Sequence, residues 1–356
     1  MRTIRTYAQP GKLALSLMVI ISFLALSGCF MEVVETREDL PDIVWPQRPE
    51  TPRIRFVNAI SNPEDLNIRE SLSARLWNFF KGKVRTPIIK PYGVITDAEG
   101  RLYVVDNFSR VIHVYNAKNN EYYVFPQSET NLLSPIDIAI DKNGTVYVSD
   151  SREQSVKVFT DHGKKFLKDI GRGLLSRPTG LAYNTVSDEL LVVDTKYSEI
   201  IRYDIKTLTF RGAIGSMGVE HGAFNNPTNI FSDRRGKIYV SDSLNFRIQV
   251  FTHDGTFVRT FGKGGDSPGF FSRPKGVAVD SDGNIYVVDA LFDNIQMFNE
   301  NGELLMDFGK AGNNYGEFWL PAGIYIDKND RIYISDSYNK RVQIFQYLKA
   351  GELPGP

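Results

Sequence analysis

Six aspartates end six short apolar runs: Asp106 in LYVVD, Asp150 in VYVSD, Asp194 in LLVVD, Asp242 in IYVSD, Asp289 in IYVVD and Asp336 in IYISD. Carboxylates at one position of a repeat could form a ring that holds a cation, or each could accept backbone N–H groups of the loop that follows. A residue present in every repeat serves what every repeat needs, so the second reading is preferred. Chemistry peculiar to this chain is sought where the repeats differ. Two positions after a recurrent proline, four repeats have Gly93, Gly180, Gly276 and Gly323, and the other two have Asp137 and Asn229. A carboxylate and an amide oxygen near a channel mouth suit a hard cation such as calcium. Asp137 and Asn229 are therefore the candidate metal or ligand site, with a bond to the next blade's backbone as the alternative for each.

Catalytic constellations are sparse. The histidines His113, His162, His221 and His253 fall in a strand, two turns and a loop, so they do not converge on one zinc. No nucleophile elbow or glycine-rich phosphate loop occurs. Cys29 is the single cysteine, which leaves no disulfide framework and no thiolate cluster. With 42 basic and 42 acidic residues the chain has no net field to hold a phosphate backbone, and nucleic acid is excluded as a partner. A composition of 42% hydrophobic and 24% charged residues describes a globular chain with a large core.

Residues 1–28 read as an export signal: Arg2, Arg5 and Lys12 precede the apolar run LALSLMVIISFLAL at 13–26, which is too short to span a bilayer comfortably. The following LSGC resembles the lipobox of bacterial lipoproteins, which implies lipidation of Cys29 and membrane anchoring; a buried cysteine behind a short hydrophobic helix is the alternative. Acyl chains contribute about 0.8 kcal/mol per buried CH₂. Cleavage removes three basic residues and no acidic one. Phe30 stands where an aspartate would resemble an inner-membrane retention signal, so the expected address is the cell envelope, outer rather than inner membrane. Residues 29–52 mix charge and proline without a sustained period and are expected to be an extended tether.

The aspartates recur at intervals of 44, 44, 48, 47 and 47 residues, a period that marks propeller blades or a helical array. Valine, isoleucine and tyrosine dominate the runs, which argues for strands. Each repeat opens on a proline (Pro91, Pro135, Pro178, Pro227, Pro274, Pro321), a residue suited to the start of a strand. An Asp-x-x-Gly turn follows in four repeats, at 97–100, 141–144, 233–236 and 280–283. The aspartate-ended strand, a loop and two further strands complete four strands per repeat. The sixth repeat stops after its third strand, and RIRFVNAI at 53–60 alternates as a strand should. The expected fold is all-β: a six-bladed β-propeller of four-stranded antiparallel blades over 53–349, the last blade completed by this N-terminal strand. A short helical insertion at 71–82, with Leu72, Leu76, Phe79 and Phe80 on one face, and a tail at 350–356 stand apart from the repeats.

The inner strand after proline, the YVVD and YVSD endings and NFRIQVF at 245–251 resemble NHL repeats over about residues 85–348. The resemblance implies a six-bladed propeller that binds a protein or small-molecule partner on one flat face. Related propellers that are lyases or lactonases supply the rival, a metal-dependent enzyme with calcium or zinc in its central channel. The consensus arginine after the strand aspartate is present at Arg247 and Arg341, while Val111, Ser155, Glu199 and Asn294 replace it elsewhere. The loops between second and third strands carry Phe108, Arg152, Lys196, Tyr197, Phe246, Phe292 and Tyr338, aromatic and basic anchors of the kind interfaces use. Packing against the adjacent blade is the alternative for each ring. Phe224, Phe271 and Phe318, in a recurrent Gly-x-Phe-x-x-Pro pattern, are expected to be packing residues. The sequence favours a lipid-anchored binding or scaffold module without a cofactor over an enzyme.

Overall fold

The structure is a computed structural model that describes residues 40–69, 86–127 and 130–349. Cys29 and its signal segment, the insertion expected at 71–82 and the tail at 350–356 lie outside the described residues. Six antiparallel sheets form the propeller. Blade one runs Pro91–Thr96, Leu102–Asp106, Val111–Asn116 and Glu121–Phe125, and blades two to five repeat that order from Pro135, Pro178, Pro227 and Pro274. The second strands are buried at nearly every position because each sheet is covered on both faces: Tyr103, Val104 and Val105 are all fully buried. Side chains of neighbouring blades share one core, as where Tyr103 and Val105 of blade one meet Ile138, Val146 and Val148 of blade two.

The tyrosine of these strands has a second task. Its hydroxyl donates to the turn aspartate, Tyr103 to Asp97 at 3.0 Å, Tyr147 to Asp141 at 3.0 Å, Tyr239 to Asp233 at 3.1 Å and Tyr286 to Asp280 at 2.9 Å. The same carboxylates accept backbone N–H groups across the turn, at Glu99 and Arg101 for Asp97. Phe224, Phe271 and Phe318 are fully buried, as expected. A Cβ at Gly215, Gly262 or Gly309 would lie 2.3, 2.3 or 2.5 Å from those rings, and all three glycines have positive φ, so the pattern extends to a glycine upstream of each phenylalanine.

Blade six is closed by the N-terminal segment. Ile54–Ile60 pairs antiparallel with Arg341–Tyr347, from Ile54 opposite Tyr347 to Ile60 opposite Val342, with a bulge between Phe56 and Asn58. The structure corrects two expectations here. First, this blade has five strands, because Val44–Trp45 pairs outside Ile54–Ile60. The tether drawn over 29–52 therefore ends before residue 44. Its apolar Ile43, Val44 and Trp45 dock because Trp45 fits between Phe308 and Phe345, 5.8 Å from each ring. Second, the inner strand of blade six begins at Ile324 rather than at Pro321. Ala322 and Gly323 still bond across to Ser335, at 2.9 Å each, but in an irregular register.

Neighbouring blades are also latched near the channel. The residue after each strand aspartate donates its side chain to the carbonyl of the next blade's opening proline: Asn107 to Pro135, Ser151 to Pro178, Thr195 to Pro227 and Ser243 to Pro274, at 2.6–2.8 Å. Ser337 does the same to Pro91 at 2.6 Å and so joins the last blade to the first. Ala290 breaks the series; there the Gly276 N–H donates to the Ala322 carbonyl at 3.0 Å.

Candidate functional site

The six strand aspartates are fully buried and act as clips. Asp106 accepts N–H groups of Ile89 and Lys90 in the segment entering its blade, and of Phe108 and Ser109 in its own following loop. Asp150, Asp194 and Asp289 do the same with their local equivalents. In blades four and six, side chains take over part of this work. Asn245, Arg247 and Gln249 donate to Asp242, and Asn339, Arg341 and Gln343 to Asp336. The arginine is thus dispensable where backbone donors fill the carboxylate, which accounts for its replacement in the other repeats. Burial alone would raise the Asp106 pKa, yet His113 and the Ser109 and Ile89 N–H groups outweigh it and hold the carboxyl at about 2. These clips define one end of the channel, the upper face, where loops between second and third strands meet the loops entering each blade.

The collar of the channel explains the glycines. Each inner strand of blades one to five shifts register just after its proline, so the residue two positions on is displaced toward the neighbouring strand. A Cβ at Gly93 would lie 2.4 Å from the Asp137 carboxylate, and one at Gly180 would lie 2.8 Å from the Asn229 Cα. One at Gly276 or Gly323 would strike a backbone carbonyl at 2.7 or 2.2 Å. Asp137 and Asn229 each stand between glycines, where the collar has space for a side chain.

The two metal candidates do not share a cavity. Asp137 lines a lower cavity of about 390 Å³, together with turn residues such as Asp233, Asp280 and Asp327. Its carboxylate accepts the Leu181 N–H of the next blade at 3.0 Å, which is the backbone alternative weighed for it. Burial raises its pKa to about 7 against the lowering effect of the Leu181 and Ile138 N–H groups. Asn229 lines an upper cavity of about 460 Å³. Among the described residues, no three histidine, cysteine, aspartate or glutamate side chains gather as a metal site.

The upper cavity is lined by Arg177, Arg273 and Lys275, with Tyr92, Thr228 and Asn226, and by no carboxylate. Arg177 also lines an adjoining pocket with Arg152 and Lys196. Around this mouth the structure exposes the residue two places beyond every strand aspartate: Phe108, Arg152, Lys196, Leu244, Leu291 and Tyr338. The aspartate holds that residue by its backbone N–H in four blades, which leaves the side chain free to point outward. Phe108 is 70% exposed, and Tyr197 and Tyr338 are also open; Tyr338 lies 5.4 Å from the exposed Trp319. In blades four and five the exposed positions are Leu244 and Leu291, 54% and 52% open, whereas Phe246 and Phe292 are half-buried. The Phe246 ring joins the core with Phe261 and Phe271. Phe108, Arg152, Lys196 and Tyr338 follow the positional rule, Phe246 and Phe292 do not, and Trp319, Arg177, Arg273 and Lys275 escaped because they lie beside the blade-opening prolines rather than in the loops considered.

A closed ring of six antiparallel sheets around a central channel defines a six-bladed β-propeller. Two of its segments, residues 132–159 and 318–345, match the NHL repeat family model, and residues 223–295 match one described as a 6-bladed beta-propeller. Solved structures agree on the fold. An auxiliary nutrient binding protein from Bacteroides thetaiotaomicron is 15% identical, with 73% of this chain and 69% of that chain covered at a TM-score of 0.58. One from Bacteroides ovatus is 14% identical, with 72% and 69% covered at 0.57. Virginiamycin B lyase from Staphylococcus aureus is 15% identical, with 73% and 95% covered at 0.52. At these identities the likeness concerns the fold.

Proposed function

We propose that this chain is an extracytoplasmic binding module, held at the outer membrane of the cell envelope through acylated Cys29, that receives a protein partner or ligand on its upper face. The observation that carries this reading is the ring of outward side chains at one position of every blade, apolar at Phe108, Leu244, Leu291 and Tyr338 and cationic at Arg152 and Lys196. In four blades the aspartate clip takes only the backbone N–H of that residue, and in none does it use the side chain, so the clips leave these side chains unconstrained. Large exposed apolar groups set among cations are interface chemistry. Nutrient-binding proteins on the same fold support a binding role by analogy.

Capture of crosslinked partners from native membranes tests the reading. The variant Phe108→Asp/Leu244→Asp is expected to fold normally, because both residues are exposed, and to lose at least about tenfold of the captured partner. Unchanged capture would refute the assignment of this face. In the same preparation Cys29→Ser is expected to move the protein from the membrane to the soluble fraction, and retention there would refute the anchor.

A further inference from the structure

The ion pairs of this protein are distributed unevenly. Several cations elsewhere find carboxylates, as Arg101 does with Asp97, Lys142 with Asp188, Arg172 with Asp169 and Arg202 with Glu189, while others such as Arg234 and Arg235 are in none of the described ion pairs. Among the described residues, the ion pairs include none of Lys90, Arg177, Arg273 or Lys275, which surround the upper channel mouth. The aspartates under this face are enclosed by their own N–H donors, and none lines the cavity. The positive groups are also crowded. Lys90 and Lys275 lie over the Tyr92 ring at 5.7 and 5.5 Å. Burial first, then the charges of Arg273, Lys90 and Arg177, lower the Lys275 pKa to about 8. A folded protein that gathers like charges at one concave site without counter-charges holds a potential an anion would relieve.

Building on the upper-face reading, we infer that the upper mouth is a binding site for a small organic anion, whose carboxylate or phosphate group sits among Arg177, Arg273 and Lys275. A volume of about 460 Å³ accommodates a ligand of several carbons. Guanidinium groups from two blades can donate paired N–H bonds to an oxyanion, and Lys275 adds a point charge. Thr228, Asn226 and Asn229 line the same cavity as neutral hydrogen-bonding groups, and Tyr92, Leu244 and Leu291 offer apolar contact for the ligand's body. The site therefore favours an anion with an apolar or ring-bearing portion over a bare inorganic ion.

The test is calorimetric titration of the purified soluble Cys29→Ser protein with citrate, phenyl phosphate and inorganic phosphate at constant ionic strength in chloride. At least one of the two organic anions is expected to bind saturably with one site per chain, more tightly than inorganic phosphate. Arg273→Ala/Lys275→Ala is expected to weaken that binding at least tenfold while leaving the melting temperature without ligand unchanged or higher. Absence of saturable binding by all three probes overturns the inference, as does binding that the double variant retains. A parallel titration with anionic phospholipid vesicles separates a membrane surface from a soluble ligand, and binding to vesicles alone also overturns it. If Arg273→Ala/Lys275→Ala still captures the membrane partner while no anion binds, the upper face stands and the anion site falls.

Discussion

Deletion of residues 53–60 abolishes cooperative folding. Ile54 and Ile60 are fully buried and Phe56 is 4% exposed in the strand that completes blade six. Burial of side chains of this size contributes about 1.5–3 kcal/mol each, and the sum is comparable with the roughly 5–15 kcal/mol that separates a folded domain from its unfolded chain. The loss also uncovers Arg341–Tyr347 along its whole length as a bare, apolar sheet edge, an invitation to aggregation. Val44–Trp45 would lose its sheet partner, Ile54–Ile60, at the same time. The intermediate variant Phe56→Ala keeps the backbone ladder and removes the ring stacked against Tyr315 at 5.0 Å and edge-on to Phe345 at 5.7 Å. Its expected cost is about 3–5 kcal/mol. Thermal and urea unfolding followed by circular dichroism measure both. A deletion variant with an unchanged transition would show that the ring closes without this strand.

Asp106→Ala carries the second large effect. The carboxylate is fully buried and gathers backbone N–H groups from two loops, at 2.7 Å from Ile89, 3.2 Å from Lys90, and 3.0 Å from both Phe108 and Ser109. Hydrogen bonds to a charged group are worth about 1.5–3 kcal/mol each, but water admitted by the smaller side chain recovers part, so a loss of about 4 kcal/mol is expected. The pH dependence gives an independent reading. Because the folded carboxyl has its pKa lowered from 3.8 to about 2, it contributes stability above pH 4 that is lost as the pH falls toward 2. That contribution is about 2 kcal/mol, and Asp106→Asn should remove the corresponding acid-linked part of the unfolding curve. Stability of Asp106→Ala within about 1 kcal/mol of the parent would contradict the clip.

The same features explain what could be read from the chain and what could not. Asp106 and its five equivalents were legible because every blade must solve the same problem, the joining of two loops, and a common problem leaves a periodic residue. The clasp was legible because a missing fourth strand at the end demands a spare one at the start. Trp45 was not: three docked residues in a proline-rich segment produce no period, and the partners of the Trp45 ring, Phe308 and Phe345, lie 263 and 300 residues away. The latch from Ser337 to Pro91 was hidden for a similar reason, since serine after aspartate is an ordinary loop residue until the ring brings the next blade's carbonyl to it. The mouth depends on ring closure too. Arg177 and Arg273 precede prolines of blades three and five, and only closure places both on one cavity. Asp137 and Asn229 stand out in the sequence because they break a run of glycines at one repeat position, but the sequence could not show that the collar puts them on different cavities.

The account rests most on the upper face being the working one. Photocrosslinking residues placed singly at Leu244, on the upper face, and at Asn143, in an exposed turn at the opposite end, compare the two ends directly in native membranes. The account predicts a discrete crosslinked species from Leu244 and none from Asn143; crosslinks confined to Asn143 would contradict it.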